Sequence, residues 1–169
     1  MKQNIKYILL SLLVLLMVSC QKSQEYYEGL YVVGADQLSP VANLTIDDLP
    51  AVIGIKVASS CAIGDHVEVG MKATPELVES FNKEYKKNYE LLPEKSYKLE
   101  NTTLTIENGK NTSTDGVRLS VISRDLLKEG KTYLLPISIV SVSDKNLSVI
   151  EGSRTIYTVS YTHLRAHET

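Results

Sequence analysis

Tryptophan is absent from this sequence, and cysteine, phenylalanine and histidine are rare, with 2, 1 and 3 copies among 169 residues. The scarcity of cysteine and histidine argues against a zinc site, because such sites need several of these ligands close together. His66 has neither type as an immediate neighbour and is expected on the surface of a strand. We therefore expect no metal ligands and no cofactor.

Carboxylates suited to catalysis are also lacking. Glycoside hydrolysis needs two carboxylates about 5 to 9.5 Å apart across a sugar. Asp47 and Asp48 are adjacent, so on a strand they would point to opposite faces, and Glu90 and Glu94 flank a Leu-Leu-Pro turn. We expect no catalytic residues in this chain.

The chain has no excess of positive charge. Lys and Arg total 18 and Asp and Glu total 20, which gives a formal net charge of −2 at pH 7. Because a nucleic-acid-binding surface requires clustered cations, this balance gives no reason to expect nucleic acid as a partner.

The N-terminus resembles the signal of bacterial lipoproteins. Lys2 and Lys6 precede an apolar run, residues 7–18, whose length of about a dozen residues is too short for a hydrocarbon core that needs roughly 20. The following Leu16-Met-Val-Ser-Cys20 resembles a lipobox. We expect residues 1–19 to be a signal peptide, Cys20 to be the lipidation site, and residues 20–27 to tether a domain to the outer membrane, on either its periplasmic or its extracellular face.

The C-terminus, residues 159–169, resembles one reading frame of a sequencing-library adapter. We therefore expect it not to be native, and we do not take His163 and His167 as metal ligands. This leaves residues 28–158 as the domain. With Cys20 acylated, Cys61 has no partner for an intramolecular disulfide and is expected to be a small, buried or half-buried apolar residue.

Alternating apolar and polar residues predict several strands in the domain. In residues 66–72 the apolar side chains recur at every second position, as in a half-buried strand. Residues 103–107 and 117–121 repeat this pattern around a loop rich in turn formers, which predicts a hairpin. Residues 131–142 form another candidate strand, and Pro136 within it predicts an edge position or a bulge.

One helix is predicted over about residues 74–88. Thr74 is a good N-cap and Pro75 a good first residue, while Leu77, Val78, Phe81 and Tyr85 form one apolar stripe. Many short strands with a single helix predict a mainly β fold, an antiparallel β-sandwich.

Five short motifs occur in a fixed order along the chain. They are residues 77–82 on the helix, 89–93 after it, 104–109, 132–138 and 155–158. On these motifs the chain resembles the N-terminal domain of unknown function found in Bacteroides-type surface lipoproteins. The resemblance implies an immunoglobulin-like β-sandwich that precedes lectin-like or family-18 glycoside hydrolase domains, and it implies no particular catalytic or binding residues.

Three functions agree with these observations. The first is a non-catalytic envelope lipoprotein module that spaces or presents glycan-binding domains in a polysaccharide-capture system. The second is the N-terminal accessory domain of a truncated lipoprotein glycoside hydrolase, and the third is an adhesin or fimbrial subunit. Within the domain, Tyr89 and Tyr97 are candidates for glycan binding, although tyrosines at such positions also pack at the edge of a sandwich.

Replacing Cys20 by Ala should yield a soluble or uncleaved protein, because this residue carries the expected lipid. Detergent partitioning of whole-cell extracts measures the effect. Cys61→Ala is the matched control and should partition as the unaltered protein does. A Cys20→Ala protein that has lost its signal peptide and still enters the detergent phase as the unaltered protein does would contradict the lipoprotein assignment.

Overall fold

The computed structural model describes residues 29–36 and 38–161, which form eleven strands, one α-helix and two one-turn 3-10 helices. The expected mainly β sandwich with one short helix is confirmed. The strands are β1 (Leu30–Val32), β2 (Val41–Thr45), β3 (Ala51–Ile55), β4 (Val57–Ser59), β5 (Val67–Ala73), β6 (Glu90–Leu91), β7 (Tyr97–Glu100), β8 (Thr103–Ile106), β9 (Val117–Val121), β10 (Thr132–Val142) and β11 (Thr155–Tyr161). The helix α1 is Leu77–Tyr85, and the 3-10 helices are Glu94–Ser96 and Glu151–Ser153.

The strands form one large sheet and two smaller ones. The large sheet has the order β2-β11-β10-β5-β8, with the short β6 beside β10; the others are β3-β9-β7 and β1-β4. Most neighbours are antiparallel, but β2 runs parallel to β11 and β6 runs parallel to β10. The sheets enclose one large apolar core, to which side chains from all three contribute.

Strand β10 is buried on both faces. Every residue from Tyr133 to Ile139 is buried, and successive side chains of a strand point to opposite sides. Tyr133, Leu135, Ile137 and Ile139 face the large core, whereas Leu134 faces a second cluster beneath α1. The strand therefore joins the sandwich core to the helix.

The prediction of an edge position or bulge at Pro136 is wrong, because β10 lies between β11 and β5. On the side away from β11, pairing with β6 ends at Leu134 and pairing with β5 begins at Ile137. The Pro136 carbonyl accepts a hydrogen bond from Thr74 N–H on this side, so the proline nitrogen faces the gap between two partners. The missing N–H costs no ladder bond there. The register shift in β10 instead lies between Ile139 and Ser141.

The helix is shorter than predicted at both ends. It begins at Leu77, follows Glu76 without a side-chain cap, and ends before Lys86, which adopts a left-handed φ of 51°. The expected N-cap, Thr74, is instead buried and shares a hydrogen bond of 2.7 Å with the hydroxyl of Ser138. Ser138 shares another of 2.7 Å with Thr155, so three hydroxyls link the residue that follows β5 to β10 and β11.

The predicted hairpin of residues 103–107 and 117–121 does not form. β8 pairs with β5 in the large sheet, whereas β9 pairs with β3 and β7 in the second sheet. The connecting loop crosses between the sheets and is fixed by Ser113, whose hydroxyl accepts from Val57 N–H at 3.3 Å and donates to the Asp115 carbonyl at 2.7 Å. The alternation of apolar and polar residues correctly predicted both strands. It does not specify which strand each one pairs with, because any antiparallel neighbour is compatible with that pattern.

The expectation for Cys61 is also wrong, because this residue is exposed, in the connection between β4 and β5. The signal peptide, Cys20 and the tether over residues 20–27 lie outside the described residues, as do residues 162–169. β11 continues past Thr158 to Tyr161, and Val159 is buried in the second cluster. Among the residues that the structure describes, no helix is long and apolar enough to cross a membrane.

Replacing Phe81 by Ala should lower the free energy of unfolding by about 3 to 5 kcal/mol, as is typical for a buried aromatic residue. Phe81 is only 2% exposed and joins α1 to Leu134 and Val159. Urea denaturation measures the change. The control Leu38→Ala, at a side chain that is 88% exposed, should change stability by less than about 0.5 kcal/mol. Equal stability of the two variants would contradict the packing of α1.

Candidate functional site

A cleft opens where the C-terminal turn of α1 meets the first residues of β11. Its volume is ≈ 420 Å³. Two tyrosine rings and two carboxylates line it, together with a proline, a glycine and a threonine. The lining residues are Pro40, Glu84, Tyr85, Glu151, Gly152, Thr155 and Tyr157.

Both tyrosines of the cleft rest on Phe81. Tyr85 follows Phe81 by four residues, so the two lie on the same helix face, and their ring centroids are 4.5 Å apart. Tyr157 comes from β11, where its neighbours Ile156 and Thr158 face the other side of the sheet and are buried. Its ring centroid is also 4.5 Å from that of Phe81. The buried phenylalanine therefore fixes the positions of two half-buried tyrosines.

The tyrosine hydroxyls lie in the field of a carboxylate. Burial, followed by the negative charge of Glu84, raises the pKa of Tyr85. Burial also raises the pKa of Tyr157, with smaller contributions from Glu84 and Tyr85. Glu84, Tyr85 and Tyr157 are thus electrostatically coupled, and both tyrosines keep their hydroxyl protons at neutral pH.

The second carboxylate of the cleft is part of an ion pair. Glu151 Oε1 lies 2.5 Å from a terminal guanidinium nitrogen of Arg154. This pair closes the turn between the 3-10 helix and β11, so the cation next to the cleft is already engaged. The carboxylate of Glu84 has no ion pair of this kind among the described residues.

A second concave surface lies on the outer side of the β3-β9-β7 sheet. It has a volume of ≈ 530 Å³ and contains cationic and apolar side chains but no aromatic ring. Lys56 Nζ is engaged there with the Thr114 carbonyl at 3.2 Å. The lining residues are Val33, Val52, Gly54, Lys56, Asn101, Gly116 and Arg118.

The two tyrosines predicted as ligand-binding residues are placed in different clusters. The ring centroid of Tyr89 lies 6.2 Å from that of Phe81. The side-chain amide of Asn82 donates a hydrogen bond of 2.8 Å to the Tyr89 carbonyl and accepts one of 3.0 Å from the Tyr89 N–H. Tyr97 is in β7 and packs half-buried against the large core. Burial and then Glu94 raise its pKa. The structure does not bring these two rings together, and their binding role stays a prediction.

The other polar residues discussed for the sequence, Glu90 and His66, contact neighbouring charged side chains. Glu90 forms a 2.8 Å ion pair with Lys131, and the hydrogen bond from that lysine lowers the pKa of Glu90. His66 is exposed and contacts Asp65 at 3.3 Å. Residues 29–36 and 38–161 contain no group of three or more His, Cys, Asp or Glu side chains placed to hold a metal ion.

The cleft itself could not be found from sequence motifs. Tyr85 belongs to the apolar stripe of the helix and Tyr157 to the motif of the closing strand, and these two segments are distant in the chain. Only the packing of α1 on β10 and β11 brings the two rings together.

Residues 26–146 match the sequence model of a family of N-terminal domains. Since this match covers more than half of the chain, the chain belongs to that family, and the resemblance derived from the motifs is confirmed. No curated protein matches the chain in sequence.

Several solved structures share the fold. A candidate carbohydrate-binding protein from Bacteroides ovatus is 25% identical with a TM-score of 0.66, over 80% of this chain and 37% of that one. A two-domain protein of unknown function from Bacteroides fragilis is 13% identical with a TM-score of 0.64, over 83% and 47%. EndoBT-3987 from Bacteroides thetaiotaomicron, in a structure with its Man5GlcNAc product, is 15% identical with a TM-score of 0.61, over 79% and 30%. The chain therefore spans less than half of the length of each of these proteins.

Replacing Glu84 by Gln should lower the pKa of Tyr157 while leaving it above its ordinary range, because the contribution of burial remains. NMR titration of ring-labelled tyrosine measures this pKa, and Tyr157→Phe assigns the signal. Glu79→Gln, an exposed change on the same helix, is the control and should not shift the signal.

The raised pKa of Tyr157 also predicts how the stability of the protein changes at alkaline pH. The folded-state pKa of Tyr157 is raised, so its contribution to stability is complete below the unfolded-state pKa of about 10 and is lost as the pH rises through the folded-state pKa. Tyr157→Phe should therefore lose less stability than the unaltered protein over that alkaline range. A Tyr157 pKa that does not respond to Glu84→Gln would contradict the cleft geometry.

Proposed function

We propose that this chain is a non-catalytic accessory module of a glycan-handling protein of the cell envelope. The observation that carries the proposal is its similarity, at 25% identity over 80% of the chain, to a candidate carbohydrate-binding protein of Bacteroides. In that protein the matching region is 37% of the length, as expected if the domain serves a larger assembly of domains.

The surroundings of the carboxylates support a non-catalytic role. Glu90 pairs with Lys131 across two chain segments, and Glu151 pairs with Arg154 across a turn. These are contacts that fix loops, whereas a glycosidase places two acids on either side of a sugar ring. The one reported neighbour that is named for carbohydrate binding supports the same assignment.

The lipoprotein part of the proposal depends on Cys20. The described chain enters the domain at Gly29, whose N–H donates to Ser60 Oγ at 3.0 Å, and Leu30 N–H donates to the Ser148 carbonyl at 2.8 Å. Residues 20–28 can span at most about 30 Å when fully extended. A lipid on Cys20 would therefore hold the domain near the outer membrane, as a spacer for glycan-binding domains.

The alternative is an accessory domain of a lipoprotein glycoside hydrolase. The domain itself would look the same in both proteins, because both roles need a folded spacer between lipid and a second domain. An open reading frame that continues into lectin-like domains favours the first role, and a barrel with paired acids favours the alternative.

In-frame removal of residues 29–161 from the native gene, with residues 1–28 kept, tests the proposal. Cells should retain the truncated lipoprotein in the membrane fraction but capture less fluorescent polysaccharide. The purified full chain should release no reducing sugar from the same polysaccharides. Unchanged capture after removal, or sugar release by the purified chain, would contradict the proposal.

A further inference from the structure

We propose that the cleft of Tyr85 and Tyr157 is itself a binding site for a neutral saccharide. The choice of a saccharide as ligand class rests on the proposed function, while the location and the neutrality rest on the geometry of the cleft. The site differs from the pair Tyr89 and Tyr97 predicted from the sequence.

The aromatic side chains fit a sugar ring. A pyranose has one face of C–H groups, and an aromatic ring with a polar tip can contact that face while its hydroxyl bonds the sugar's edge. Tyr85 and Tyr157 both line the cleft and are half-buried, so each has surface left for a ligand. The second concave surface has no ring to offer and is a poor match for a sugar.

The polar groups of the cleft suit a ligand with many hydroxyls. The carboxylate of Glu84 can accept two O–H donors, and hydrogen bonds to a charged group are stronger than those between neutral groups. Gly152 and Thr155 line the cleft beside it, and the Thr155 hydroxyl, which already shares a hydrogen bond with Ser138, can still accept one from a ligand. The cavity volume, ≈ 420 Å³, is within the range of small-molecule sites.

The charges around the cleft select against acidic sugars. Both ionisable carboxylates that line it, Glu84 and Glu151, are negative, and the adjacent cation Arg154 is engaged with Glu151. A uronic acid would meet uncompensated negative charge at Glu84. A neutral hexose or pentose unit avoids this repulsion.

The site is organised before any ligand arrives. Phe81 lies 4.5 Å from both tyrosine rings and is itself buried, while Tyr157 is held in the middle of a sheet by β10 and β2. Side chains that are already fixed lose little conformational entropy on binding, which favours affinity.

The test measures binding of the detergent-solubilised full chain to immobilised polysaccharides by biolayer interferometry. The probes are a neutral mannan, a neutral β-glucan, a neutral xylan and the anionic polygalacturonate. We expect binding to at least one neutral probe and weaker binding to polygalacturonate. Absence of binding to all neutral probes, or a preference for polygalacturonate, would overturn the proposal.

Substitutions locate the site. Tyr85→Ala and Glu84→Gln should each weaken binding about tenfold or more, since a stacked ring or a charge-assisted hydrogen bond is lost. The matched control Glu79→Gln, on the same helix, should bind as the unaltered chain does. Tyr97→Ala tests the alternative site predicted from the sequence. Glu84 is exposed, so Glu84→Gln keeps the test valid even if Tyr85→Ala does not fold. Binding that resists both cleft substitutions, or that depends on Tyr97, rules out this cleft.

Two experiments distinguish failure of this inference from failure of the proposed function. If cells with the Glu84→Gln variant capture polysaccharide normally while removal of residues 29–161 reduces capture, the cleft is not the saccharide-binding site, and the accessory role stands. If removal has no effect, the accessory role itself is wrong.

Discussion

Burial of β10 on both faces is the constraint on which the rest of the structure depends. A strand with apolar side chains on both sides needs cover on both sides, and here the second sheet covers one face while α1 covers the other. Its polar positions have to be satisfied within the protein, which explains the hydroxyl chain through Ser138. The cleft exists because α1 ends before it has covered the whole of β11.

Local sequence patterns predicted the elements but not their partners. Alternation located β5, β8 and β9, and the apolar stripe located α1, because these patterns depend only on neighbouring residues. The pairing of β8 with β5 instead of β9 depends on contacts between distant segments, to which alternation is indifferent. Thr74 failed as a cap for a similar reason, since Ser138 offers its hydroxyl a buried partner from another strand. Cys61 is exposed because it lies in a connection between strands, where its small apolar side chain has no sheet face to join.

The candidate site was still less accessible to sequence reasoning. Tyr85 and Tyr157 have no motif in common, and each also satisfies a packing requirement beside Phe81. The tyrosines that the sequence did single out flank a turn, which indicates exposure but not convergence. Only tertiary packing brings Tyr85 and Tyr157 together. As a result, the charge of Glu84 raises the pKa of both cleft tyrosines.

The parallel pairing of β2 with β11 has a consequence for the order of folding. β2 is near the beginning of the described chain and β11 at its end, yet their residues are hydrogen-bonded neighbours from Val41 with Tyr157 to Thr45 with Tyr161. Such non-local pairing slows folding, because the entropy of closing a long loop is lost before the contacts between the two strands form. A ribosome-bound chain that lacks β11 leaves one edge of β10 unpaired and leaves β2 without the strand that it pairs with in the sheet. The large sheet can therefore be completed only after almost the entire domain has been synthesised, which is later than in a fold built from consecutive hairpins.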